Sequence, residues 1–98
     1  MAAELSVQRD VDRLILVGEL DTHTSPALEA ELVDVADGAD LTLDLAGVTF
    51  ISSAGLTAIL NAQRRLDETG GSLGVSGPNP AVARMIELSG LTETFGLD

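Results

Sequence analysis

The chain contains no cysteine. That excludes a disulfide framework and any thiolate metal site. It also contains no tryptophan or tyrosine, and only two phenylalanines. Most of the aromatic platforms on which unpaired bases stack are therefore missing. Positive charge is scarce as well. Five basic residues face sixteen acidic ones, for a net charge of -11. Such a surface is repelled by nucleic-acid phosphates and by anionic membranes. It leaves open a protein partner with a basic docking face, beside the simpler role of keeping the chain in solution. No stretch approaches the roughly 20 apolar residues that a membrane-spanning helix needs. Met1 to Asp10 show no apolar run of the signal-peptide kind. The expected compartment is the cytoplasm, without direct membrane insertion, although a subunit role in a membrane complex stays open.

What is present is an evenly spread apolar content, 45% of 98 residues. This is too much for a disordered chain, despite the charge. The length suits one domain, spanning residues 1–98, with a modest core.

Leu5 and Val7 alternate with polar residues, as in a short strand. Asp10 to Arg13 read as a turn. Leu14-Ile15-Leu16-Val17 read as a second, largely buried strand reaching Gly18. Glu19 to Thr24 are polar around one apolar anchor and read as a loop. Ser25-Pro26 read as a helix start, with Ser25 as the cap and Pro26 at the first helical position. Leu28, Leu32, Val35 and Ala36 continue at helical spacing up to Gly38.

Leu41, Leu43 and Leu45 predict a third strand. Gly47 breaks its pattern, and Val48 to Ile51 form a separate short apolar run. Leu56, Ile59, Leu60 and Leu66 define a helix face, with Arg64, Arg65, Asp67 and Glu68 largely off it and Gly70-Gly71 at its end. Leu73 and Val75 predict a fourth strand. Asn79-Pro80 starts a last helix with Val82, Met85 and Ile86 on its buried face, and Gly90 stops it. Leu91, Phe95 and Leu97 pack as a final segment. The alternation implies an α/β domain: a mixed, mostly parallel sheet of about four to five strands packed with helices.

Ser52-Ser53-Ala54-Gly55-Leu56 lies between an apolar run and a helix. A helix start exposes unpaired amides and carries partial positive charge. A phosphate there is accommodated by both, and it adds about -1.5 to -2 charges to the surface. On the residues alone, the plainer reading of Ser52 or Ser53 is a simple N-cap. Catalytic readings are poorer. A serine hydrolase needs a base and an orienting acid, and position 51 is Ile where a nucleophile elbow has Gly. His23 is the only histidine. Glu19, Asp21 and His23 alternate, but with no second His or any Cys they make a poor metal set. No phosphate-binding glycine motif is present. The chain is expected to be no enzyme, with no catalytic residue, metal site or cofactor; any nucleotide belongs to a partner.

Phe50-Ile51-Ser52-Ser53-Ala54-Gly55-Leu56 resembles the signature of STAS domains, in particular bacterial anti-sigma factor antagonists. Gly18-Glu19-Leu20-Asp21-Thr22-His23-Thr24 resembles the family's Gly-Glu-Leu-Asp loop. Leu88-Ser89-Gly90-Leu91 resembles its C-terminal Ser-Gly-Leu. The segments occur in the family's order and cover essentially the whole chain. The resemblance implies a partner-switching regulator of transcription. The unphosphorylated antagonist binds an anti-sigma factor that is also a serine kinase. Phosphorylation of a serine at the helix start switches it off, and a metal-dependent serine/threonine phosphatase resets it.

The matching acceptor is Ser53, with Ser52 as a secondary candidate. Where the family commonly has Asp before that serine this chain has Ser52, and where a second Ser or Thr often follows it has Ala54. The implied docking surface comprises Glu19, Asp21, Thr22, His23, Thr24, Ser52, Ser53, Ala54 and Gly55. A different use of the same fold is as a structural, non-phosphorylated subunit of a lipid-transport ATPase complex.

Overall fold

Two antiparallel strands open the domain. In the computed structural model, which describes residues 4–97, β1 (Leu5–Asp10) pairs with β2 (Arg13–Leu20), with Asp10 opposite Arg13. Val11 and Asp12 make the two-residue turn, and Val11 adopts φ +53°. The order continues α1 (Ser25–Val33), β3 (Asp40–Ile51), α2 (Ser53–Glu68), β4 (Ser72–Ser76) and α3 (Pro80–Leu88). The sheet order is β1-β2-β3-β4, and both later pairings are parallel. A mixed, mostly parallel sheet of four strands with three helices is the architecture expected above.

The period-two pattern decides which face is covered. Leu14, Leu16, Leu41, Leu43, Leu45, Leu73 and Val75 are buried on one side of the sheet. Leu28 and Leu32 from α1, and Leu56, Ile59 and Leu66 from α2, complete that core. On the other side stand Thr42, Asp44 and Val17, and Val17 is exposed. A buried Leu contributes roughly 1.5–3 kcal/mol, so this one-sided layer carries most of the stability.

Four boundaries differ from the sequence expectation, the first being the end of α1, which stops at Val33 with Asp34 as its cap instead of running on through Val35 and Ala36 to Gly38. β2 runs on through Glu19 and Leu20, because these residues pair with Phe50 and Ile51. β3 does not stop at Gly47. It is one strand with a register shift against β2, and Gly47 stands opposite Val17. A Cβ there would lie 2.9 Å from Val17 Cγ2 and 3.1 Å from the Leu16 carbonyl, so glycine permits the close approach. Ser25 is not the cap of α1 but its first residue, and its side chain is buried.

The C-terminal segment closes the sheet's far edge. Phe95 is fully buried, and its carbonyl accepts from the Val75 amide at 3.0 Å. The Gln63 side-chain amide, itself buried, donates to the carbonyls of Leu73 and Thr94. These bonds occupy an edge that would otherwise offer unpaired backbone. At the opposite end of the parallel strands, β2 and β3 finish side by side. Open α/β sheets place their sites outside such carboxyl ends.

Candidate functional site

The end of β2 and the start of α2 are joined directly. The amide of Ser52 donates to the carbonyl of Leu20 at 2.9 Å. The next residue after Leu20 is Asp21, so the loop 21–24 borders the first turn of α2. Gly55 lets the two meet. Its backbone lies against Leu20, and a side chain there would collide with both the Leu20 side chain and its carbonyl.

The two neighbouring serines occupy different positions. Ser52 is the N-cap in extended conformation, and its Oγ accepts from the Gly55 amide at a long 3.4 Å. Ser53 is the first helical residue and is exposed. The Ser53 carbonyl accepts from the Thr57 hydroxyl at 2.9 Å. The Ser53 and Ala54 amides have no intrahelical acceptor, and no acidic residue occupies the first turn. The positive end of the α2 dipole therefore carries no fixed counter-charge from that turn.

The loop 21–24 is internally bonded. Asp21 Oδ1 accepts from the amides of His23 and Thr24 at 2.9 and 3.0 Å. In return, Thr24 Oγ1 accepts from the Asp21 amide at 2.9 Å and donates to the Glu19 carbonyl at 2.7 Å. This is a reciprocal capping arrangement, with the acid where Ser or Thr usually stands. It also explains why Ser25 need not cap α1: the amide of Ser25 donates to the Asp21 carbonyl instead. The Thr24 amide, above all, holds the Asp21 carboxyl below the usual carboxylate range. Burial opposes that effect, and the His23 amide and Thr24 hydroxyl reinforce it.

The residues singled out from sequence thus divide in two. Asp21 and Thr24 spend their polar atoms inside the loop and shape it. Thr22, His23 and Ser53 are exposed, and Glu19 is half-buried. Ala54 is half-buried, while Gly55 is buried and serves packing. With its carboxylate already bonded to two amides, Asp21 is poorly disposed to join Glu19 and His23 around a metal. One surface residue escaped the sequence pattern. Phe50 belongs to an apolar run but is 47% exposed, beside Glu19 and three positions before Ser53. Strand alternation with buried Ile51 was the available signal.

A four-stranded mixed sheet with an exposed serine at a helix start, beside a pre-shaped loop, defines a small interaction domain. Residues 3–97 match the family described as "Mlab, STAS domain". The chain is 32% identical over 91 residues to the anti-sigma F factor antagonist of Paenibacillus polymyxa, covering 90% of this chain and 78% of that protein. It is 30% identical over 83 residues to the anti-sigma-B factor antagonist of Bacillus subtilis, covering 84% and 76%. A crystal structure of an anti-sigma factor antagonist from Mycobacterium paratuberculosis superposes with a TM-score of 0.76 at 33% identity, covering 98% of this chain and 85% of that one. The chain belongs to the STAS domain family, among the bacterial anti-sigma factor antagonists.

Proposed function

We propose that this protein is a cytoplasmic partner switch that binds a serine-kinase anti-sigma factor when unphosphorylated and is released by phosphorylation of Ser53. One observation carries the choice of residue: Ser53 is exposed at the first helical position, while the adjacent Ser52 hydroxyl is engaged as the cap. In the reaction, Ser53 Oγ attacks the γ-phosphorus of the kinase's ATP. ADP leaves, and the hydroxyl proton passes to a base on the kinase. The product adds about -1.5 to -2 charges at a helix end that favours anions. The fold is preserved, and the docking surface becomes electrostatically different. That surface comprises Thr22 and His23, the edge formed by Glu19 and Phe50, and the first turn of α2. A metal-dependent serine/threonine phosphatase resets the switch by hydrolysing the phosphoester.

The test begins with co-purification of the bound ATPase from the native host. The pair is then incubated with ATP, and phosphate is mapped by mass spectrometry. Label confined to Ser53 and abolished by Ser53→Ala supports the proposal. Label that survives Ser53→Ala removes the residue assignment. Stable binding of an ATPase that never transfers phosphate favours the alternative, a structural subunit of a lipid-transport complex.

A further inference from the structure

β3 outruns its neighbour in the sheet. β4 pairs with Asp40 to Asp44 and leaves the rest of β3, up to Ile51, without a strand on that side. α3 fills part of the gap. The Asn79 side chain caps α3 by accepting from the Val82 amide at 2.9 Å, and its Nδ2 donates to the Val48 carbonyl at 2.8 Å. Val82 and Ile86 then turn into the core. Ala81, Met85 and Leu88 recur at i, i+4 and i+7 and form a second apolar stripe, more open than the first. Between that stripe and the end of β3 lies an open groove of about 220 Å³, with Phe50 in its lining. Leu88 is 68% exposed at its rim.

Composition marks this groove as a protein contact. The chain carries sixteen acidic residues. Among the described residues none of them lines the groove. Arg84 is the one charged residue there, and Glu87 pairs with it at 2.7 Å. Interface cores are depleted in acids and lysine and enriched in aromatics, Met and Arg. Apolar side chains bared together on an acidic surface point the same way. A drug-sized ligand needs about 300–1,000 Å³, more than the groove holds. Without a basic cluster the groove does not attract the phosphates of nucleic acid or membrane. A second copy would bring another charge of -11 against the first.

Position selects the partner. The groove opens at the carboxyl end of β3, where Ser53 and the loop 21–24 also stand. Phe50 belongs to both surfaces, since it pairs with Glu19 and lines the groove. Three steps of chain separate it from Ser53, which is at most about 11 Å. An interface of standard size covers about 800 Å² on each partner, a disc of about 16 Å radius. A partner centred on Ser53 therefore reaches Phe50 and the mouth of the groove.

We propose that the groove between Phe50, Met85 and Leu88 receives an apolar anchor side chain of the anti-sigma factor. The inference rests on the partner assigned above and divides the labour at that interface. The groove supplies affinity, and Ser53 supplies the switch.

The test uses the full chain and the co-purified kinase. Leu88→Asn should weaken binding about tenfold or more, equally at low and high salt, because the lost contact is apolar. Phe50→Asn should lose at least as much. Urea midpoints check that each variant is folded, and the exposed Leu88 position decides the matter where Phe50→Asn does not fold. Val33→Asn, a comparable change at an exposed aliphatic residue of α1, should leave binding within about twofold. Unchanged binding by Leu88→Asn overturns the groove, while Ser53 labelling in the same complex leaves the switch standing. Equal losses from Leu88→Asn and Val33→Asn, or a loss confined to low salt, overturn it as well. A dimer of the free chain that Leu88→Asn dissociates would assign the groove to a second copy and overturn the proposal. Affinity lost with Leu88→Asn in a complex that never labels Ser53 supports the anchor contact and removes the switch.

Discussion

A Cβ on Gly55 would stand 2.6 Å from Cγ of Leu20 and 3.0 Å from the Leu20 carbonyl oxygen. This contact sets how closely α2 approaches the end of β2, and so where Ser53 sits relative to the loop. Gly55→Ala sets two effects against each other. Helix propensity favours Ala by about 1 kcal/mol. Overpacking against a fully buried leucine costs about 1–3 kcal/mol, and the carbonyl cannot rotate away. The clash outweighs it, because the carbonyl is backbone, and urea denaturation should show a net loss of up to about 2 kcal/mol. A stabilised variant would refute the close-approach account.

The two serines should separate in stability as they do in geometry. Ser52→Ala removes the cap, which typically costs about 0.5–2 kcal/mol; the long 3.4 Å bond puts the loss in the lower half of that range. Ser53→Ala removes only an exposed hydroxyl and should stay within about 0.5 kcal/mol of the native protein. Ser53→Glu should stabilise the domain by about 0.3–1 kcal/mol through the helix dipole. Thermal unfolding at low ionic strength checks all three.

Asp21 makes stability depend on pH in one direction. Its carboxyl is held below the usual range in the folded state, chiefly by the Thr24 amide. A depressed folded value means the contribution is complete above the unfolded value of about 3.9. It is lost as pH falls from there through the lower folded value. Urea midpoints measured from neutral to strongly acidic pH should drop for the native protein. Asp21→Asn should flatten that acid limb, because an amide cannot titrate there. Identical pH profiles for the two proteins would remove Asp21 from the account.

Val11 is a site of stored strain. It is a β-branched residue at φ +53° with 86% of its surface exposed, at the tip of the β1–β2 hairpin. The left-handed region costs an ordinary L-residue about 1–2 kcal/mol, and asparagine tolerates it. Val11→Asn should therefore stabilise the protein by about 0.5–1.5 kcal/mol, with the binding site untouched. A lower unfolding midpoint would show that the valine makes an unrecognised contribution.

Arg65 joins α2 to the end of α1. Its Nη2 donates to the Leu32 and Val35 carbonyls, both at 2.9 Å, and its Nη1 to Asp37. Cation and carbonyl ends match the α1 dipole. Bonds to charged groups contribute about 1.5–3 kcal/mol, so Arg65→Met should cost about 1–2 kcal/mol given its partial exposure. Arg65→Lys should recover less than half, since an ammonium lacks the planar fork that reaches the two carbonyls with Nη2 and Asp37 with Nη1 at once. Full rescue by lysine would reduce the role to simple charge.

Much of this protein was legible as a string. Alternation at Leu41, Leu43 and Leu45, the Asn79-Pro80 start and the stops at Gly70 and Gly90 place most elements within a few residues. These signals are local. They encode dihedral preference, side-chain period and capping, each decided within one or two turns of chain. The three motif segments, in order, likewise belong to the string.

Tertiary structure decided the rest. Gly47 looks like a strand breaker until Val17 stands opposite it. Ser25 looks like a cap until Asp21 and Thr24 cap each other and bury it. Arg65 looks like a solvated face residue until the end of α1 comes within reach. The motif ranks Ser53 ahead of Ser52, but the two letters do not say which hydroxyl caps the helix. The turn from strand to helix commits one hydroxyl to the Gly55 amide and turns the other outward. Each of these depends on which backbone groups and which sheet face the crossovers bring together. Sequence alone named Ser53 at a helix start beside a polar loop, and packing determined that Ser52 is the cap, that Ser53 is exposed, and which surface surrounds it.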